Sequence, residues 1–189
     1  WKHAHGSGAA LGLLALEIDC FKAYNAKYGN AAGDRCLQAV AQALVRVRHR
    51  PADLIARIGG NEFVILLPGL TGFDTAEVAR YALRAVSDLR MPHAGSTVGE
   101  HLTISIGATA YDEESASWVP RQHDPSAATL DPAGPGETLV WLAEQALSAA
   151  KHGGGNHVRF LRCDDRNKSA SPLDLRTEEV PPVRSQRHA

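Results

Sequence analysis

The segment Arg57-Ile58-Gly59-Gly60-Asn61-Glu62-Phe63 constrains this chain more than any other. It lies between two apolar runs, Asp53 to Ile58 and Glu62 to Pro68, and so reads as the tip of a β-hairpin. Two adjacent glycines permit positive φ there and let a bulky charged ligand approach the backbone closely. An amide, Asn61, and a carboxylate, Glu62, follow at once.

The flanking chain supplies a sheet and its helices. Gly12 to Asp19 (GLLALEID) is an apolar run ending in acids, the pattern of a buried central strand whose C-terminal end carries chemistry. Phe21 to Tyr28 reads as a short helix stopped by Gly29-Asn30. From Ala32 to His49, the positions Leu37, Val40, Ala41, Leu44 and Val47 recur at helical spacing. Asp74 to Arg90 is a second amphipathic helix with Ala79, Ala82, Leu83 and Val86 inward. His101 to Tyr111 alternates as a strand, Leu139 to Ala150 repeats as a helix, and His157 to Leu161 closes the sheet. The order βααββαβαβ predicts a palm-like α/β fold, a mostly antiparallel sheet flanked by helices. Residues 1–162 form the domain, with 112–136 a long surface loop. Residues 163–189, polar and proline-bearing, are expected to be a disordered tail or linker.

Composition narrows the classes. The 189 residues suffice for one α/β domain with a core. A formal net charge of -1 gives no global field favouring nucleic acid or an anionic membrane. Three unevenly spaced cysteines fit a reduced, cytoplasmic protein better than a disulfide scaffold. The longest apolar run is far short of a membrane span and no signal peptide is visible. The abrupt start at Trp1 suggests a piece of a longer multidomain protein.

If the first strand and the hairpin are neighbours, Glu17, Asp19 and Glu62 converge with Asn61 at one edge of the sheet. Hard oxygen donors of this kind suit Mg²⁺, which shares its shell with phosphates. Two such ions neutralise a triphosphate and activate a hydroxyl for in-line attack. Taken alone, the strand-end acids also fit a merely solvated edge, and the glycines a simple turn.

The wider pattern is more specific. The stretch E-I-D-C-F-K-A-Y-N-A-K-Y-G-N-A-A-G-D (Glu17 to Asp34) resembles the D-x-D-x-F-K-x-x-N-x-x-x-G-x-x-x-G-D of GGDEF domains, the family of diguanylate cyclases. The hairpin tip matches the family signature, with Asn61 where an acid is expected. Ser105-Ile106-Gly107 matches its S-x-G strand, and Ala146 to Asn156 resembles its closing A-L-Y-x-A-K-x-x-G-R-N. Four motifs in order span about residues 11–162.

The resemblance implies roles position by position. Glu17, the Ile18 carbonyl and Asn61 would meet Mg²⁺ or Mn²⁺. Glu62 and Lys22 would serve catalysis, Lys22 and Lys151 approaching the triphosphate of GTP beside Gly59 and Gly60. Asn25 and Asp34 would hydrogen-bond guanine, Asp34 rejecting adenine by leaving lone pairs unmatched. The plain alternatives are solvated helix lysines, and Asn25 and Asp34 as caps near glycines. Arg50 and Asp53 stand at the family's R-x-x-D inhibitory site for cyclic di-GMP, with Arg80 or Arg84 as assistants. An arginine ending a helix also suits the helix dipole.

Departures weigh as much. Glu17 replaces Asp, Asn61 removes a full negative charge, Gly155 stands for a phosphate-binding Arg, and Ser148 for Tyr. The helix and turn that usually precede the first strand are absent. Three functions remain open. One is a degenerate receptor of cyclic di-GMP, and the second an active, homodimeric cyclase joining two GTP. The third is a GTP-binding pseudo-enzyme that regulates fused sensor or effector domains.

Overall fold

Near-continuous hydrophobicity in LGLLALEI fits a strand covered on both faces, and β1 (Leu11–Ile18) is the centre of the sheet. The computed structural model describes residues 9–47, 50–115, 135–163 and 173–176. Along the chain follow α1 (Phe21–Tyr28), α2 (Asn30–Val47), β2 (Leu54–Arg57), β3 (Glu62–Pro68) and α3 (Gly72–Ser87). Then come β4 (Ile104–Tyr111), α4 (Pro135–His152), β5 (His157–Phe160) and β6 (Leu173–Arg176). The six-stranded sheet runs β2-β3-β1-β4-β5-β6. All its pairings are antiparallel except β4 with β5, which the α4 crossover makes parallel.

Alternation divides β1 between two cores. Leu14, Leu16 and Ile18 pack with Val40, Leu44, Ala79, Leu83 and Val86 of α2 and α3. Leu11, Leu13 and Ala15 pack with Leu139, Leu142 and Ala143 of α4. Glu17 shares their parity and therefore lies on the α4 face. Helix α4 crosses β4 at Gly107, where an added Cβ would overlap the Ala143 carbonyl and the Leu147 backbone. Helix α3 begins at a capping box, the Thr71 hydroxyl accepting from Asp74 N–H and the Asp74 carboxylate answering the Thr71 N–H.

The predicted palm-like order is observed, with one strand added. Leu173–Arg176 pairs with β5, so this stretch departs from the expected disordered tail. The remainder of 163–189 beyond Cys163, most of the loop expected at 112–136, and the first eight residues lie outside the described residues. No helix among the described residues is long and apolar enough to cross a membrane.

Candidate active site

The register of β1 against β3 sets Glu17 opposite Glu62, on one face. Two carboxylates opposite each other repel, and a cation nearby relieves them. That cation is Lys151, in the last turn of α4, whose Nζ lies 2.6 Å from Glu17 Oε2. Glu17 Oε1 accepts from the Asn61 amide at 3.2 Å. The same Nδ2 donates to the Ile18 carbonyl at 3.0 Å. Both partners are acceptors, so only the nitrogen side of the amide can face them. The Asn61 carbonyl in turn accepts from Ile18 N–H at 3.1 Å, fixing the hairpin tip against the end of β1.

Asp19 lies only two residues beyond Glu17 but takes no part in this cluster. It is 5 % exposed and accepts from Thr103 Oγ1 and Ser105 Oγ, each at 2.7 Å, and from Asn156 N–H at 3.0 Å. Asp19 lines the same cleft as Glu17 and Asn61, but its carboxylate is already held as a buried post joining β1, β4 and the α4–β5 loop. Cys20 then turns the chain into α1 with φ 53. Its carbonyl is held by His93 Nε2 at 3.2 Å, and its thiol lies 3.5 Å from Thr97 Oγ1. Burial pushes that thiol up, but hydrogen bonds from Thr97 and Ser96 outweigh it and leave it below its ordinary value.

At the tip, Arg57 Nε donates to the carbonyls of Gly59 and Gly60, each at 3.1 Å, and Nη2 donates to Gly60 at 2.8 Å. Neither glycine uses the positive φ open to it. Their use is close approach: a Cβ on Gly59 would meet the Glu62 carboxylate at 2.5 Å, while Gly60 faces open space. Arg57 escaped the sequence reading because nothing in its spacing distinguishes a clamp from a solvated strand end.

A cleft of about 860 Å³ opens over this edge, lined by Glu17, Lys22, Asn25, Gly60, Asn61 and Lys151 among others. Asn25 Oδ1 is buried against Gly33 and finds no hydrogen-bond partner among the described residues. The floor includes Gly154 and Gly155, both at positive φ. Asp34 lies elsewhere, exposed, at the rim of a cavity of about 350 Å³ with Gln38, Arg57 and Phe63. Asn25 and Asp34 thus line different cavities. Gly59 and Glu62 do not line either cavity.

The oxygen donors read as a metal site are brought together but do not fit a dication as they stand. Both Glu17 oxygens and the Ile18 carbonyl already accept from protein donors, and the Asn61 side chain turns its amide nitrogen toward them. Among the described residues no group of three or more His, Cys, Asp or Glu side chains is placed to hold a metal.

At the opposite end of the hairpin, Arg50 Nη2 donates to the Pro68 carbonyl, and Nε lies 3.6 Å from Asp53. Asp53, 3 % exposed, accepts the Arg50 backbone N–H at 3.1 Å and staples the R-P-A-D turn. The Arg50 side chain remains 40 % exposed. Arg80 and Arg84 are paired along their own helix with Glu77 and Asp88.

A family model described as diguanylate cyclase, GGDEF domain, matches residues 1–125. The chain is 32% identical over 154 residues to diguanylate cyclase A of Treponema denticola, covering 80% of this chain and 35% of that protein. It is 35% identical over 155 residues to diguanylate cyclase DgcP of Pseudomonas aeruginosa, covering 82% and 20% respectively. It thus spans about a third or less of the length of these curated relatives. Among solved structures, the GGDEF domain of DgcB from Caulobacter crescentus in complex with c-di-GMP superposes with a TM-score of 0.65 at 25% identity, covering 86% of this chain and 83% of that one. The GGDEF domain of TpbB from Pseudomonas aeruginosa gives 0.60 at 28% identity, with 85% of each chain covered.

Proposed function

The chain belongs to the GGDEF family, and on that premise we propose that it is a degenerate member, a guanine-nucleotide-binding regulatory module that does not itself form cyclic di-GMP. One observation carries the reading: the Asn61 amide directs its N–H groups at Glu17 and the Ile18 carbonyl, where the family's acid would offer a second carboxylate. A donor at that position opposes a cation and leaves one carboxylate instead of two. Gly155 removes the guanidinium expected on the phosphates.

Cyclic di-GMP is the ligand proposed for the R-x-x-D turn. Asp53 holds the turn closed from within, and Arg50, partly exposed beside it, presents the charge to a phosphate or guanine edge. In this reading the domain acts within a longer, dimeric signalling protein whose other domains respond to the bound nucleotide. An active cyclase is the second reading, favoured by Lys22, Asn25, Gly60 and Lys151 lining one cleft with Glu17.

The deciding experiment is turnover. Protein stripped of nucleotide is incubated with GTP and Mg²⁺ or Mn²⁺, and the products are separated by chromatography. No cyclic di-GMP is expected; its formation would make the chain a cyclase and overturn the reading. Calorimetry with cyclic di-GMP is expected to give binding that Arg50→Ala removes, and unchanged affinity in that variant would refute the assignment to this turn.

A further inference from the structure

We infer that the Asn61 amide and the Lys151 ammonium are the cleft's built-in replacement for a divalent cation, so that a guanine nucleotide binds here without one. The inference rests on the proposed reading of the chain as a degenerate member and names the conditions under which its cleft takes ligand.

Three acceptors face the position where the family would hold its metal: two oxygens of Glu17 and the carbonyl of Ile18. The protein meets all three, with Lys151 Nζ at 2.6 Å and Asn61 Nδ2 at 3.2 and 3.0 Å. Turning the amide over would set its oxygen against two other oxygens, so the donor orientation is dictated by its neighbours. The charge of Glu17 is already cancelled by Lys151. A dication entering here would have to displace an ammonium from its own ligand. Asp19 offers no alternative, since its carboxylate is held by Thr103, Ser105 and Asn156.

The remaining walls suit a phosphate chain. Lys22 is exposed on the cleft wall, and an added Cβ at Gly60 or Gly154 would meet nothing, leaving the backbone open to close approach. Asn25 lines the same cleft, and its Oδ1, buried against Gly33 with no partner among the described residues, leaves an acceptor that a side-chain rotation would offer to a base. Lys151 pairs with Glu17 and both line the cleft, so one ammonium can bridge carboxylate and phosphate.

The test is GTP binding, by calorimetry, with the protein in EDTA and in Mg²⁺. The natural protein is expected to bind GTP in EDTA, with an affinity changed by no more than about threefold in Mg²⁺. Lys151→Met is expected to weaken binding in EDTA by about tenfold or more, and Mg²⁺ then to restore part of it because Glu17 is released. Lys151→Arg keeps the charge and is expected to retain EDTA binding; melting curves of both variants establish that they fold. Absence of GTP binding in EDTA overturns the inference. So does a gain of about tenfold in natural-protein affinity with Mg²⁺, or a Lys151→Met variant that binds normally in EDTA. Binding that depends on Mg²⁺ but yields no cyclic di-GMP refutes this inference alone. Production of cyclic di-GMP refutes the proposed function.

Discussion

The β2–β3 hairpin carries an arginine at each end, and the two ends use it in different ways. At the tip, exposed Arg57 clamps the Gly59 and Gly60 carbonyls and sets the backbone edge of the cleft. At the base, Arg50 holds the Pro68 carbonyl beside an acid that is itself buried. The nearby acids differ correspondingly. Glu17 is held by two side chains, Lys151 and Asn61, that an incoming ligand can compete for. Asp53 is fixed to the Arg50 backbone inside a closed turn. A ligand at the tip must therefore exchange partners, whereas a ligand at the base adds to a finished scaffold. Competition of the first kind tunes affinity through the protein's own side chains; the second depends on how well Arg50 is presented.

The cleft end depends most on Asp19. Asp19→Ala strands two hydroxyls and a backbone N–H in the interior and is expected to cost about 3–5 kcal/mol in urea unfolding. Asp53→Ala frees one backbone donor at the base and is expected to cost about 1–3 kcal/mol by the same measurement. Equal losses would mean that the two acids are equivalent staples. Arg57→Ala is expected to lower stability by no more than about 1 kcal/mol. Its main effect should be faster hydrogen exchange at Gly60 and Asn61 amides, with Arg50-dependent binding of cyclic di-GMP unaltered. A change at the base would couple the two ends.

Thiol chemistry sharpens the contrast between cleft and core. Cys20, with its pKa lowered at the cleft, is expected to react with iodoacetamide at lower pH than an ordinary thiol and to be shielded by bound GTP. Buried Cys36, its pKa raised by desolvation to about 11, is expected to stay unmodified while the protein is folded. The smallest expected effect follows from the same group. The folded state keeps the Cys36 proton where the unfolded chain, near 9.0, has lost it, so stability falls as pH rises from 9.0 toward about 11. Cys36→Ala would flatten that slope in denaturation curves, and an unchanged slope would assign it elsewhere.

Much of the fold was legible because periodicity reports burial. Leu37, Val40, Leu44 and Val47 face the core as their spacing predicts, as do Ala79, Ala82, Leu83 and Val86. The short β6 was not, since Leu173 to Arg176 sits in a polar, proline-bearing stretch and owes its pairing to β5. At the site, the neighbourhood of Glu17 and Asn61 was readable from motif order. The direction of the amide was not, because it is set by which atoms face it across 44 residues of chain. Asp19 looked like a partner of Glu17, yet Thr103 and Ser105, hydroxyls two apart where β4 begins, carried the signal of a buried acceptor.

The Asn61 contacts also have an evolutionary side. Asparagine and aspartate codons differ at a single base, so the acid expected at this position is never more than one point mutation away. On the proposed reading the bare glycine at 155 leaves that step incomplete, because a restored carboxylate would still lack the guanidinium that the family resemblance sets on the phosphates. Rebuilding a metal site, on the same reading, therefore takes more than this one substitution.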